Sequence, residues 1–248
     1  MQQCLILLIT LLFLTAAQAN PPFLTDNPEP TEYQHLEFYY YAFLDKTHNT
    51  TNVQIPAIEI DWGFAPNWEW YIQAPAVLNA LQTGPNTYGL GDTETGILYR
   101  FVQETANRPQ IGITPAWVIP TGDAQRNLGN GRGWARLPIW LQKSWGSWTS
   151  YGGGGYAINS AVGAKNYSFG GLVIQRQLNE KWTLGGDLFT QGADTIDTRS
   201  YAIFTAGAYY NLNKNVSLLF SIAHSVVGEE HFQGYVGIYW DLSFSNKK

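Results

Sequence analysis

From Tyr235 to Phe244 the chain alternates between apolar and polar residues: Val236, Ile238, Trp240, Leu242 and Phe244 share one face, and Tyr235, Gly237, Tyr239, Asp241 and Ser243 share the other. Strand side chains alternate with period two, so this segment predicts a strand with lipid outside and a polar lumen inside. Strand-like segments recur at 33–43, 53–64, 67–77, 91–103, 110–120, 134–144, 148–158, 166–177, 181–191, 200–210, 215–225 and 234–244. Their connections alternate between short (65–67, 104–109, 145–147, 178–180, 211–214) and mostly longer ones (44–52, 78–90, 121–133, 159–165, 192–199, 226–233). That rhythm predicts an all-β fold, a transmembrane antiparallel up-and-down β-barrel of about twelve strands, with tight periplasmic turns and longer outer loops. An even strand count puts both ends of the barrel on the periplasmic side. The aromatic-ended last strand, with Trp240, Leu242 and Phe244 outward, reads as the signal recognised in outer-membrane assembly.

The ends divide the chain further. Cys4 to Ala17 is a short apolar run followed by Ala17-Gln18-Ala19, a small-x-small cleavage pattern, so residues 1–19 read as a signal peptide. The run is too short for a comfortable membrane helix, although no Lys or Arg precedes it. Cys4 precedes the core rather than following a lipobox, which argues against lipoprotein processing. Residues 20–32 form a Pro-rich lead-in that cannot join the middle of a sheet, residues 33–244 form the barrel, and residues 245–248 form a polar tail. Cleavage after Ala19 removes the one Cys, so disulfide and thiol chemistry is not expected in the mature chain.

Charged residues make up 13% of the chain and aromatic residues 15%. Soluble proteins carry roughly 25% charged residues. Mean hydropathy is nonetheless slightly negative, so the apolar content is hidden in alternation, as in a barrel; a secreted β-sandwich is the competing reading. The formal net charge of −5 gives no electrostatic case for nucleic-acid binding.

Alternation assigns Glu37, Glu59, Asp61, Glu69, Asp92, Glu94, Asp187 and Asp241 to the lumen, with Arg100, Arg136 and Arg176 as counter-charges. Such a net-acidic interior is either a salt-bridged network that fills the barrel or a cation-favouring constriction. Tyr39, Tyr41, Tyr71, Tyr151, Phe189, Phe204, Tyr210, Tyr235 and Tyr239 are also assigned inward, where they would suit an aromatic solute or plug a narrow barrel. Trp62, Phe64, Trp68, Trp70, Tyr99, Phe101, Trp145, Trp148 and Trp182 cluster near the short turns and read as an interfacial aromatic girdle. Glycines at 152–155, 170–171 and 185–186 permit curvature or the close approach of another group to the wall.

Chemistry beyond passage finds little support. A barrel hydrolase needs a Ser and a His on one outward face, which in one strand means His-x-Ser; His35, His48, His224 and His231 give no such spacing, and His224-Ser225 point to opposite faces. No histidine pair has zinc-site spacing, no metal or other cofactor is expected, and neither 129–133 nor 152–155 continues as a phosphate-binding loop. The chain is not expected to be an enzyme.

Five stretches together resemble the bacterial outer-membrane family named after the meta-cleavage pathway of phenol degradation, often labelled "transporter". They are Pro21-Pro-Phe-Leu-Thr-Asp-Asn-Pro-Glu-Pro30, Gly91-Asp-Thr-Glu-Thr-Gly-Ile-Leu-Tyr-Arg-Phe101, Pro120-Thr-Gly-Asp123, Leu137-Pro-Ile-Trp-Leu-Gln-Lys-Ser-Trp145 and Gly152-Gly-Gly-Gly-Tyr156. The resemblance implies a Gram-negative outer-membrane barrel that moves small molecules, hydrophobic or aromatic ones included, and it assigns no residue a transport role. The expectation is a monomeric passive channel or facilitator. Asp92 and Glu94 would stand near its mouth, with Glu59, Asp61, Glu69, Arg100, Arg176 and Asp241 shaping the lower lumen. The expected partners are outer-membrane lipid and lipopolysaccharide, periplasmic chaperones, the barrel-assembly machinery and a small solute of unknown identity. The alternative is a non-transporting barrel that binds through outer loops such as 121–133. The sequence leaves open whether the lead-in plugs the lumen.

Overall fold

The computed structural model describes residues 21–82 and 85–244, so the expected signal peptide and polar tail lie outside the described residues. The strands are β1 His35–Lys46, β2 Thr50–Ala65, β3 Trp68–Leu81, β4 Thr87–Leu90, β5 Thr93–Val102, β6 Gln110–Ile113, β7 Ala116–Ile119, β8 Trp134–Trp145, β9 Trp148–Ile158, β10 Tyr167–Gln177, β11 Trp182–Gln191, β12 Tyr201–Asn211, β13 Val216–Gly228 and β14 Phe232–Ser243. β4 and β5 are two pieces of one stave, as are β6 and β7. β3 pairs with both of the first two, and β8 with both of the second. The result is a closed antiparallel barrel of twelve staves.

Both interruptions have local causes. Between β4 and β5, the Gly91 N–H still donates to Pro75 O (2.9 Å), while Asp92 turns its carboxylate to the 120–133 loop. Between β6 and β7, Pro115 has no N–H to give, although its carbonyl accepts from Ile97 N (3.1 Å).

Closure runs through β1 and β14, from His35 opposite Ser243 to Lys46 opposite Phe232. It removes the edges that β1 and β14 would expose in an open sheet. One expectation needs correcting at the end of the barrel away from the termini. The connections 47–49 and 229–231 are short, because β1, β2, β13 and β14 continue through residues taken for loop. Thr47, Thr50, Asp45 and His231 hold these tight ends together. The longer loops there are 120–133, 159–166 and 192–200.

The alternation has the expected physical result. Val236, Ile238 and Trp240 are exposed on the outer wall, while Tyr235 and Tyr239 are buried within. Against the inner wall lies the lead-in, where Pro22, Phe23, Thr25, Asn27, Pro28, Pro30 and Thr31 are all buried. Phe23 joins a core of Tyr39, Tyr41, Tyr151, Tyr209 and Tyr235.

Candidate functional site

Lumen acids hold the lead-in by its backbone. Asp187 on β11 is fully buried, and its Oδ2 accepts from Leu24 N (3.0 Å) and Thr25 N (3.1 Å) while Oδ1 accepts from the Thr25 hydroxyl (2.7 Å). Glu69 Oε2 on β3 accepts from Thr31 N (2.7 Å) and the Thr31 hydroxyl (3.0 Å). Glu29 of the lead-in receives Arg100 Nη1 (2.8 Å), Gln142 Nε2 (3.1 Å) and the Gln110 amide. Across the barrel, the Ser221 hydroxyl donates to Pro22 O (2.7 Å). Each contact satisfies a polar group that burial would otherwise strand.

Glycine makes room for this segment. A Cβ on Gly171 would stand 1.9 Å from Thr25 Oγ1, and one on Gly63 would stand 2.0 Å from Glu32 O. The lead-in therefore packs where the wall has no side chains, and close approach is the role of Gly171.

Two voids inside the barrel share part of their lining. The outer one, about 450 Å³, opens beneath the long loops and is lined by Asn52, Gln54, Asp92, Leu128, Asn130, Trp134 and Tyr167 among others. The inner one, about 230 Å³, lies against the lead-in and is lined by Phe23, Asp26, Glu59, Glu69, Tyr71, Thr114, Arg136, Trp140, Phe169 and Phe189. Gln73 and Glu94 line both.

The predicted lumen residues separate into three groups. Glu59, Asp61, Glu69, Glu94, Arg100, Arg136, Asp187, Glu37 and Asp241 do face inward, on the same side as their buried neighbours. Glu94 pairs with Arg136 and accepts from the Tyr71 hydroxyl (2.8 Å), which places it between the voids rather than at the mouth. Glu37 accepts from Tyr39 OH (3.0 Å), and Asp241 meets His35 Nδ1 (2.8 Å) at the end that holds the termini. Asp92 stands at the opposite end and accepts from Gly122 N (3.0 Å) and Asn130 N (2.6 Å), so it anchors a loop.

Arg176 departs from the expectation. It is exposed on the outer wall, in line with Leu172 and Ile174, and its guanidinium lies 5.1 Å from the Trp148 ring centre. Phe204 is likewise exposed, and Tyr210 faces out against Trp182, whereas Ile203 and Tyr209 are buried inside. In β10 and β12 the even-numbered positions face out, so Arg176 follows Leu172 and Ile174, and Tyr210 follows Phe204.

The sequence also missed Asp26 and Glu29 as lumen residues, because a Pro-rich segment has no periodicity to assign a face. Burial raises the Asp26 carboxyl to about 6, with the Asn27 backbone hydrogen bond and the Arg136 charge opposing and Glu94 adding to it. Carboxyl groups outnumber the lumen guanidiniums of Arg100 and Arg136.

On the outside, Trp62, Phe64, Trp68, Tyr99 and Phe101 form a continuous run of rings, with successive centroids 5.8, 6.2, 4.0 and 6.3 Å apart. Trp145, Trp148 and Trp182 are exposed at the same end of the barrel, and Trp70 lies on the outer face of β3 opposite Trp62. Among the described residues no cluster of His, Cys, Asp or Glu has the arrangement of a metal site.

No protein-family model matches the chain. No curated protein matches it in sequence. Among solved structures it is similar to the COG4313 outer membrane channel from Pseudomonas putida F1, with 14% identity over 91% of this chain and 100% of that one and a TM-score of 0.75. It is also similar to the NanC porin (7% identity, 83% and 100% covered, TM-score 0.60). The KdgM porin in complex with disordered oligogalacturonate gives 11% identity, 84% and 99% covered and a TM-score of 0.56. At such identities the likeness is one of fold, and the fold is that of a transmembrane β-barrel.

Proposed function

We propose that this barrel is an outer-membrane channel or facilitator for small solutes, narrowed by its own lead-in. The observation that carries this reading is the pair of voids that share Gln73 and Glu94 in their linings, one beneath the long loops and one against the lead-in. A barrel built only as a membrane anchor has no need of a void flanked by ionisable groups. The solved barrels that share its fold include a channel and two porins, which supports the same reading.

In this reading the end holding the termini faces the periplasm and the long loops face outward, as in other barrels of this class. The ring belt from Trp62 to Phe101, with Trp145, Trp148 and Trp182, then sits at the inner membrane interface. Arg176 belongs to that belt, its guanidinium over the Trp148 ring. The chain acts as a monomer in contact with lipid and lipopolysaccharide, delivered by periplasmic chaperones and inserted by the barrel-assembly machinery.

Planar-bilayer recordings test the proposal. The full chain should give small, steady conductance steps, and a variant lacking residues 21–31 should give steps at least several-fold larger. Silence from both proteins, together with no solute uptake by loaded vesicles, would refute it.

A further inference from the structure

The inner void combines features that solute passage alone does not require. Phe23, Trp140, Phe169 and Phe189 give it an aromatic lining. Asp26 and Glu59 line it too, and among the described residues no ion pair reaches either of them. The neighbouring charges are already committed, Glu94 to Arg136 and Glu69 to Thr31.

We infer that the inner void is a binding site for a small organic ammonium. This deepens the channel reading by naming a class of solute, and rests on it. Anionic carboxylates beside aromatic faces are what a diffuse organic cation requires, since the ring quadrupoles and the carboxylates both attract it. A bare metal ion is a poorer fit, because the carboxylates do not gather as metal ligands do. An anion would meet Asp26 and Glu59 at close quarters in a confined space. A plain hydrocarbon would leave Asp26 and Glu59 without a counter-charge.

Calorimetric titration of the full chain in detergent micelles tests this with three probes of one shape: protonated 2-amino-1-phenylethanol, the neutral 1-phenylethane-1,2-diol, and mandelate. The ammonium should bind at least tenfold more tightly than the diol, and mandelate more weakly still. In the Asp26→Asn/Glu59→Gln double variant the preference for the ammonium should fall to within about threefold. Equal affinity for ammonium and diol, or an unchanged preference in the double variant, would overturn the inference. Heat-dependent gel mobility reports whether that variant folds; if it does not, the three probes on the unaltered protein decide. Binding without bilayer conductance would remove the channel reading and leave the site. Conductance without selective binding would do the reverse.

Discussion

Asp187 and Gly171 act on the same few atoms of the lead-in by different physics. The carboxylate at Asp187 takes three hydrogen bonds from Leu24 and Thr25. Hydrogen bonds to charged groups contribute about 1.5–3 kcal/mol each, and their sum is discounted when they act as one unit. Asp187→Ala should therefore speed amide exchange at Leu24 and Thr25 by about 10- to 100-fold. Gly171→Ala forces a Cβ to within 1.9 Å of Thr25 Oγ1 and should release the same two amides without touching the acid. Unchanged exchange in both variants would mean that the lead-in is held elsewhere.

His231 allows a pH test at the opposite end of the barrel. Its Nδ1 lies 2.9 Å from Asp45 Oδ1, and its ring is 4.3 Å from that of Tyr201. Burial lowers the His231 pKa, but the Asp45 hydrogen bond and charge, with lesser help from Glu229 and Asp194, outweigh it, and the net shift is upward from 6.5. A raised folded-state value means stabilisation that is complete below the unfolded value and lost as pH climbs through the folded one. Wild type should thus exceed His231→Gln in thermal stability at pH 6, with the margin shrinking toward pH 9. A margin independent of pH would contradict the assignment.

At the scale of elements, the lead-in and the staves should separate cleanly. Removing residues 21–31 takes away contacts to inward side chains and none of the strand ladder, so circular dichroism of the truncated protein should retain its β signature. Collapse of the β signal would show that the staves depend on the segment. The staves were legible in the sequence because residues such as Val236, Ile238 and Trp240 repeat with the period of the strand itself. The lead-in was legible only as something that could not be a strand. Its docking depends on contacts such as Thr25 to Asp187, which lie 162 residues apart, and no local pattern encodes such a distance. One trace was present: Gly63 and Gly171 occupy inward positions, where side chains would ordinarily fill a narrow barrel. Arg176 shares the outward register of Leu172 and Ile174, where a charge at the membrane interface rests on Trp148 rather than in the lumen.

For the whole molecule, the excess of lumen carboxylates sets the expected ion preference. In a gradient of potassium chloride the reversal potential should show cations favoured over anions, and Glu59→Gln should reduce that ratio about twofold or more. Arg176→Gln, on the outer wall, should leave it unchanged. Anion preference in the unaltered protein would contradict the charge distribution of the lumen.

The lead-in also has a mechanical consequence. Its attachments at Glu69 and Arg100 lie on one arc of the wall, and those at Asp187 and Ser221 lie on another. A segment fixed to both arcs is a strut, and a strut resists flattening of the ring into an ellipse. Spin labels at Ile58 and Leu188, on outward positions of β2 and β11, should report one narrow distance in the full chain and a broader distribution once residues 21–31 are gone. The cross-section of this barrel is then set by a stretch of chain that belongs to none of its strands.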